Sequence, residues 1–405
     1  MAISLNPPER LIPVSGIRLA TAAAGLRYKD RDDLVLMELS EPARTAALFT
    51  TNRFCAAPVV VARQHLAAVQ PRYLLINAGN ANAGLGAQGL ADAQQCCAAL
   101  ARACGCQENE ILPFSTGVIG ERLPVEKITA HYTRLAQALG EDAWLAAAQA
   151  IMTTDTVCKG LSRQVELDGQ TVTMTGIAKG AGMIRPDMAT MLAFVATDLE
   201  ADPEELEQLS RQAVRQSFHC ITVDGDTSTN DACVLVATAR SGARFSALSP
   251  QARADFSEAL NSLYLSLAQA IVRDGEGITK FVCVRIEQAR SEAEAREIAF
   301  SIAHSPLVKT SAFASDPNWG RIVAAAARTP HGGLEMDRLS LHINTVPVIE
   351  NGQPAPGYTE AAGVRAMQGD ELEYRLQLGL GTASARIWTT DLSHEYVKIN
   401  AEYRT

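Results

Sequence analysis

Strand-like and helix-like hydrophobic periods alternate along the whole of this chain, which limits it to a layered fold in which sheets are covered by helices. Short runs rich in β-branched and apolar residues, at 33–39, 58–62, 73–77 and 281–286, read as strands, as do 163–167 and 171–175. Asp168 and Gly169 between the last two mark a hairpin, because Asp-Gly favours a tight primed turn. Stretches with apolar residues every three or four positions, at 87–103, 124–139, 202–216, 250–273 and 291–302, read as helices. Two of them open on proline, whose fixed φ suits a first helical turn. No Pro/Ser-rich linker or low-complexity segment interrupts the pattern. The expectation is an α/β (α+β) fold of packed β-sheets flanked by helices. The segment 337–405 is strand-rich, with period-two alternation at 375–380 and 385–390, and an ordered strand is expected to run to Thr405.

Charge and composition remove several function classes. With 405 residues the chain has ample material for a hydrophobic core. A net charge of −9 with no Lys/Arg run gives no positive field for phosphate backbones, so a nucleic-acid partner is not expected. Residues 1–10 lack a basic region followed by an apolar run, and no segment reaches membrane-spanning length, so the expected location is the cytoplasm, with no membrane contact. Nine cysteines form an odd set; Cys96, Cys97, Cys104 and Cys106 lack the paired spacing of a zinc site and fall on or beside the expected helix 87–103, where cysteine acts as a small buried hydrophobe. The seven histidines are scattered, without an H-E-x-x-H or a triad arrangement. No metal and no cofactor is expected.

Two motifs imitate other functions. Gly84 to Gly89 satisfies G-x-G-x-x-G and would suggest dinucleotide binding, but residues 78–83 separate it from the expected strand, whereas that fingerprint needs the glycine turn directly after the strand. Asp224 to Asp231 begins like a calcium loop, yet Thr229 stands where the sixth-position glycine belongs and Leu235 where the bidentate glutamate belongs. Its polar side chains suit a brace or a buried turn.

The stretch Lys179 to Phe194 sets Thr190 between a glycine-bearing approach, with Gly180 and Gly182, and an apolar run from Met191. Pro186 biases Arg185 toward an extended shape. Thr190 therefore falls at a loop-to-strand junction, where local pattern fits either a half-buried strand former or a presented hydroxyl. The run resembles the autoprocessing segment of the ornithine acetyltransferase family, the glutamate N-acetyltransferases, in which the chain is cut between Ala and Thr. The resemblance extends to Thr116–Gly120, Met152–Thr156, Ile221–Asp231, Asp274–Gly277, Ser315–Arg321 and Tyr396–Thr405, in family order over nearly the whole chain. Arg185 and Asp187 depart from the family's usual residues without touching the Ala189–Thr190 pair.

That resemblance implies a self-processing, N-terminal-nucleophile-like acyltransferase of arginine biosynthesis, cut into segments 1–189 and 190–405 and assembled as a heterotetramer of two such pairs. Thr190 would be nucleophile at the Ala189–Thr190 cleavage site and, once its α-amine is free, would carry its own base, since an α-amine titrates near 8. Thr116 and Gly117 would form the oxyanion hole. Acetyl would pass from N-acetylornithine to glutamate by a ping-pong route, and acetyl-CoA stays open as a second donor. Lys179 suits a substrate carboxylate and Glu276, between Gly275 and Gly277, the ornithine ammonium. Thr153, Thr156, Asn400 and Thr405 match further substrate contacts of the family. A self-processed aminopeptidase-like hydrolase, with water in place of the amine, shares this nucleophile logic.

Overall fold

The computed structural model describes residues 2–185, 191–329 and 333–402. Ala189, Thr190 and Thr405, along with Asp187, lie outside the described residues. The chain divides into two compact units, Asn6–His219 with Asp226–Ile271 and Arg404–Thr405, and Met1–Leu5 with Cys220–Gly225 and Val272–Tyr403.

Among the described residues of the first unit, strands β1 (Ile17–Ala22), β2 (Leu34–Leu39), β3 (Arg44–Phe49), β4 (Tyr73–Asn80), β5 (Ile111–Val118), β6 (Lys159–Leu167), β7 (Gln170–Lys179), β8 (Leu192–Thr197) and β9 (Ala232–Ala237) build two sheets. Their orders are β1-β2-β4-β5 and β3-β9-β8-β7-β6. The inner faces share one core, in which Ile76, Leu112 and Phe114 of the first sheet meet Ile177, Phe194 and Val234 of the second. Phe114 and Phe194 lock edge to face with ring centroids 5.1 Å apart. Helix Gly86–Cys104 buries Ala93, Cys96, Cys97 and Leu100 against the outer face of the first sheet. On the second sheet, Leu263 and Leu267 of helix Pro250–Arg273 press so closely on Gly176 that a Cβ there would sit 2.9 to 3.0 Å from them. Covered on both faces, β8 and β9 are buried at all six positions and pair in parallel, which explains their unbroken apolar sequence.

In the second unit, β10 (Phe281–Ala289), β11 (Ser340–Ile343), β12 (Val346–Glu350), β13 (Gln353–Pro354), β14 (Glu371–Gln377) and β15 (Ala383–Thr390) form a sheet of order β13-β12-β11-β14-β10-β15. Val282, Val284 and Ile286 pack with Ile298 and Ile302 of helix Glu292–Ala303 in its core.

Most expected elements are present, including helix Pro250–Arg273 and the hairpin of β6 and β7, whose Asp168 and Gly169 have φ of +48° and +84°. Three expectations are corrected. Residues 58–62 lie in helix Ala57–Ala68, because Pro58 opens the first turn and Ala57, Pro58, Val61 and Ala62 bury one helical face, overriding the strand preference of the valines. The run 124–139 divides into helices Val125–Thr129 and Tyr132–Gln137, which keep Ile128, Tyr132 and Leu135 buried. The tail is helical at His394–Glu402 rather than a strand; alternation stops at Thr390 and the Ser393 hydroxyl accepts the Tyr396 N–H at 3.1 Å, capping a new helix. The nine cysteines are free thiols. Among the described residues no helix is long and apolar enough to cross a membrane.

Candidate functional site

The carboxyl end of β5 presents Thr116 and Gly117, both partly exposed. β5 runs parallel to β4 with Ala78 opposite Thr116 and Gly79 opposite Gly117, and the register shifts at Asn80. Gly117 has φ of +131°, and a Cβ on it would lie 2.3 Å from the Gly79 carbonyl carbon and 2.6 Å from the Asn80 nitrogen. Glycine is therefore required here by the neighbouring backbone itself, a reason separate from the approach of any substrate.

Lys179 ends β7 with only 5% of its surface exposed, and its Nζ donates to Thr116 Oγ1 at 3.2 Å. An ammonium has no lone pair, so Thr116 must be the acceptor in this contact and its own hydroxyl hydrogen remains for another partner. Behind Lys179 lies Asp155, fully enclosed. Its Oδ1 accepts from Lys159 Nζ at 2.6 Å and from the Gly180 N–H at 2.7 Å, and its Oδ2 from the Thr153 N–H at 3.0 Å. Burial alone would raise the Asp155 carboxyl, but the charges of Lys159 and Lys179 and the Gly180 hydrogen bond outweigh it and hold the group well below the usual carboxylate range. One ionised carboxylate thus fixes the backbone at Thr153 and at Gly180, where the chain leaves β7. Thr156, in the same segment, is exposed.

The stretch that imitates a calcium loop is a brace. Asn230 Nδ2 donates to the carbonyls of Ala81 at 2.6 Å and Ser115 at 3.0 Å, while Thr50 Oγ1 donates to the Ser228 carbonyl at 2.8 Å and Asn52 Nδ2 to that of Thr227 at 2.9 Å. These bonds tie the residue before Thr116 to the entry of β9.

In the second unit, Glu276 and Asn400 meet. Asn400 Nδ2 donates to Glu276 Oε2 at 2.8 Å, and Glu276 is 8% exposed. Gly277 allows it, since a Cβ there would fall 2.4 Å from the Tyr396 nitrogen, and the Gly277 carbonyl accepts the Ser393 hydroxyl at 2.5 Å. The turn is thereby pressed onto the first turn of helix His394–Glu402.

Thr116, Gly117, Thr153 and Lys179 of the expected site thus belong to one hydrogen-bonded neighbourhood of the first unit, and Glu276 and Asn400 to one in the second. Asp155, Lys159 and Asn230 were not singled out from sequence. The first two carry a signal, an acid four residues before a lysine in a segment otherwise poor in charge. Asn230 carries none beyond its place in a polar run.

Two sheets packed face to face, sheathed in helices and carrying a lysine-supported hydroxyl at a strand end, define a layered α/β protein with an enzyme-like polar site. The chain belongs to the ArgJ family, whose model it matches over residues 18–405. It is 53% identical over 396 residues to the arginine biosynthesis bifunctional protein ArgJ of Methylococcus capsulatus, covering 98% of this chain and 97% of that protein. It is 48% identical over 406 residues to the protein of the same name in Pseudomonas fluorescens, covering all of both chains. A crystal structure of the arginine biosynthesis bifunctional protein from Bacillus halodurans is similar to it at 32% identity with a TM-score of 0.48, covering 51% of this chain and 96% of that one.

Proposed function

We propose that the chain is an acetyltransferase of arginine biosynthesis that cuts itself between Ala189 and Thr190 and then carries acetyl from N-acetylornithine to glutamate on Thr190. In the cut, Thr190 Oγ attacks the Ala189 carbonyl, the C–N bond breaks, and the hydroxyl proton ends on the Thr190 nitrogen. Water then hydrolyses the resulting ester, leaving an Ala189 carboxylate and a Thr190 with free amine and free hydroxyl. In turnover that amine takes the hydroxyl proton as Oγ attacks the acetyl carbonyl, and passes it to the departing ornithine amine. Glutamate's amine attacks the acetyl ester in the second half, its proton returning to Thr190 Oγ.

The observation that carries this reading is the Lys179 bond to Thr116 Oγ1, which frees the Thr116 hydrogen to meet the developing oxyanion beside the Gly117 N–H. We assign Lys179 also to a substrate carboxylate, Glu276 to the ornithine ammonium with Asn400 holding its carboxylate, and Thr153, Thr156 and Thr405 to polar contacts. Relatives named bifunctional support a second activity, for which acetyl-CoA is the proposed donor to glutamate. Segments 1–189 and 190–405 are proposed to stay together as a heterotetramer in the cytoplasm. Support comes from the sheet itself: β7 and β8, one from each segment, are antiparallel neighbours with Lys179 opposite Leu192.

Steady-state kinetics with both substrates varied test the route. A covalent acetyl-enzyme gives parallel lines in double-reciprocal plots, whereas intersecting lines indicate a ternary complex and refute it.

A further inference from the structure

Lys309 of helix Pro306–Phe313 is buried in the second unit. Its Nζ donates to the Thr390 carbonyl at 2.5 Å, to Thr390 Oγ1 at 3.0 Å and to Thr389 Oγ1 at 3.2 Å, an acceptor for each proton of the ammonium. The Leu392 N–H returns to the Lys309 carbonyl at 3.3 Å. These bonds hold the end of β15 and the turn that follows it. Val282, Val284, Ile302, Val308 and Ala312 line the pocket around the side chain. Burial there pushes the amine down to about 8, against the pull of Asp391 and Asp224. A methionine would fill the same apolar space without desolvating a charge, so packing alone does not explain the lysine.

The segment that Lys309 holds also grips the turn that carries Glu276. Asp391 Oδ1 accepts the N–H groups of Thr279 at 2.9 Å and Lys280 at 3.0 Å, and its Oδ2 accepts the Thr279 hydroxyl at 2.5 Å. Ser393 donates to the Gly277 carbonyl and accepts the Tyr396 N–H, and a Cβ on Gly275 would lie 3.3 Å from Thr390 Cγ2. Residues 390–393 thus form a strap across the turn 275–280. Directly beyond the strap, helix His394–Glu402 brings Asn400 Nδ2 to Glu276 Oε2 at 2.8 Å.

We propose that Lys309 is a positioning residue for the donor substrate: by fixing Thr389 and Thr390 it sets the strap 390–393, and through it the turn and the helix that place Glu276 against Asn400. The inference rests on the assignment of Glu276 to the ornithine ammonium proposed above. Glutamate's side chain ends in a carboxylate in place of that ammonium, so loss of Lys309 should impair use of N-acetylornithine and spare use of glutamate.

The test is steady-state kcat/KM for each substrate in purified wild type, Lys309→Met, Glu276→Gln and the double variant. Lys309→Met should lower kcat/KM for N-acetylornithine by at least about tenfold and that for glutamate by less than about threefold. In the Glu276→Gln background the same change should lower the donor kcat/KM by less than about twofold further, because its effect passes through Glu276. If Lys309→Met does not fold, Thr390→Val takes its place throughout; it keeps the lysine and the side-chain shape, removes one acceptor, and should show the same selectivity at about threefold. An unchanged donor kcat/KM, equal losses with both substrates, or losses that multiply in the double variant overturn the proposal. Glu276→Gln that uses N-acetylornithine as well as wild type refutes the assignment of Glu276 and with it the role of Lys309. A Glu276→Gln defect that the Lys309 variant does not share refutes the role of Lys309 alone.

Discussion

Lys179→Met removes the ammonium and keeps the apolar stem of the side chain, so it isolates the charge that Lys179 brings to Thr116. The lost bond, 3.2 Å from a charged donor to Thr116 Oγ1, belongs to a class that contributes about 1.5–3 kcal/mol. Spent wholly in the transition state, that is a fall in kcat of about 10- to 150-fold. The fold should persist, because Lys159 still neutralises Asp155 at 2.6 Å and the Thr153 and Gly180 N–H groups keep their acceptor. The assay is steady-state turnover of N-acetylornithine with glutamate in Lys179→Met, Thr116→Ala and the double variant. If Lys179 acts on the chemistry through Thr116, the double variant has the kcat of Thr116→Ala alone, and any further loss appears in KM as the missing carboxylate contact. An unchanged kcat in Lys179→Met, or losses in kcat that multiply in the double variant, refutes the coupling.

Asp155→Ala leaves the Lys159 ammonium buried without a counter-charge and two N–H groups without an acceptor, and should cost about 3–5 kcal/mol in urea unfolding. Since the folded-state pKa of Asp155 is depressed, its stabilisation is present above the ordinary carboxylate pKa near 4 and is lost as pH falls below that toward the folded value; the variant should therefore lose its stability difference from wild type in acid. An equal difference at every pH contradicts this. Gly117→Ala should disturb the β4–β5 pairing, seen as faster amide exchange along both strands, and not merely slow turnover; normal exchange with low activity would make substrate approach, and not the neighbouring strand, the reason for this glycine.

The layered fold was legible because period-two and period-3.6 patterns are long and distinct, as in the hairpin of β6 and β7 and the helix Pro250–Arg273. It misled where sequence pattern and tertiary burial disagree, at the valines of helix Ala57–Ala68, and where a hydroxyl cap starts a helix after a strand, at Ser393. For the site, Thr116, Gly117, Lys179, Glu276 and Asn400 were reached by resemblance, not by physics. The residues supporting them depend on pairings of distant segments: Asp155 with Gly180, and Asn230 with Ser115. No local window contains both partners. Gly117 was expected for a chemical reason and has a steric one as well, which only the register of β4 and β5 reveals.

On the proposed route Thr190, freed by self-cleavage, carries the acetyl group. Intact-mass spectrometry of purified protein, before and after mixing with N-acetylornithine alone, measures this directly. Two chains, 1–189 and 190–405, are expected, with one acetyl group gained on the second and lost again when glutamate is added, and neither event in Thr190→Ala. A single uncut chain with full activity, or two chains that turn over substrate with no acetyl gain on 190–405, would contradict it.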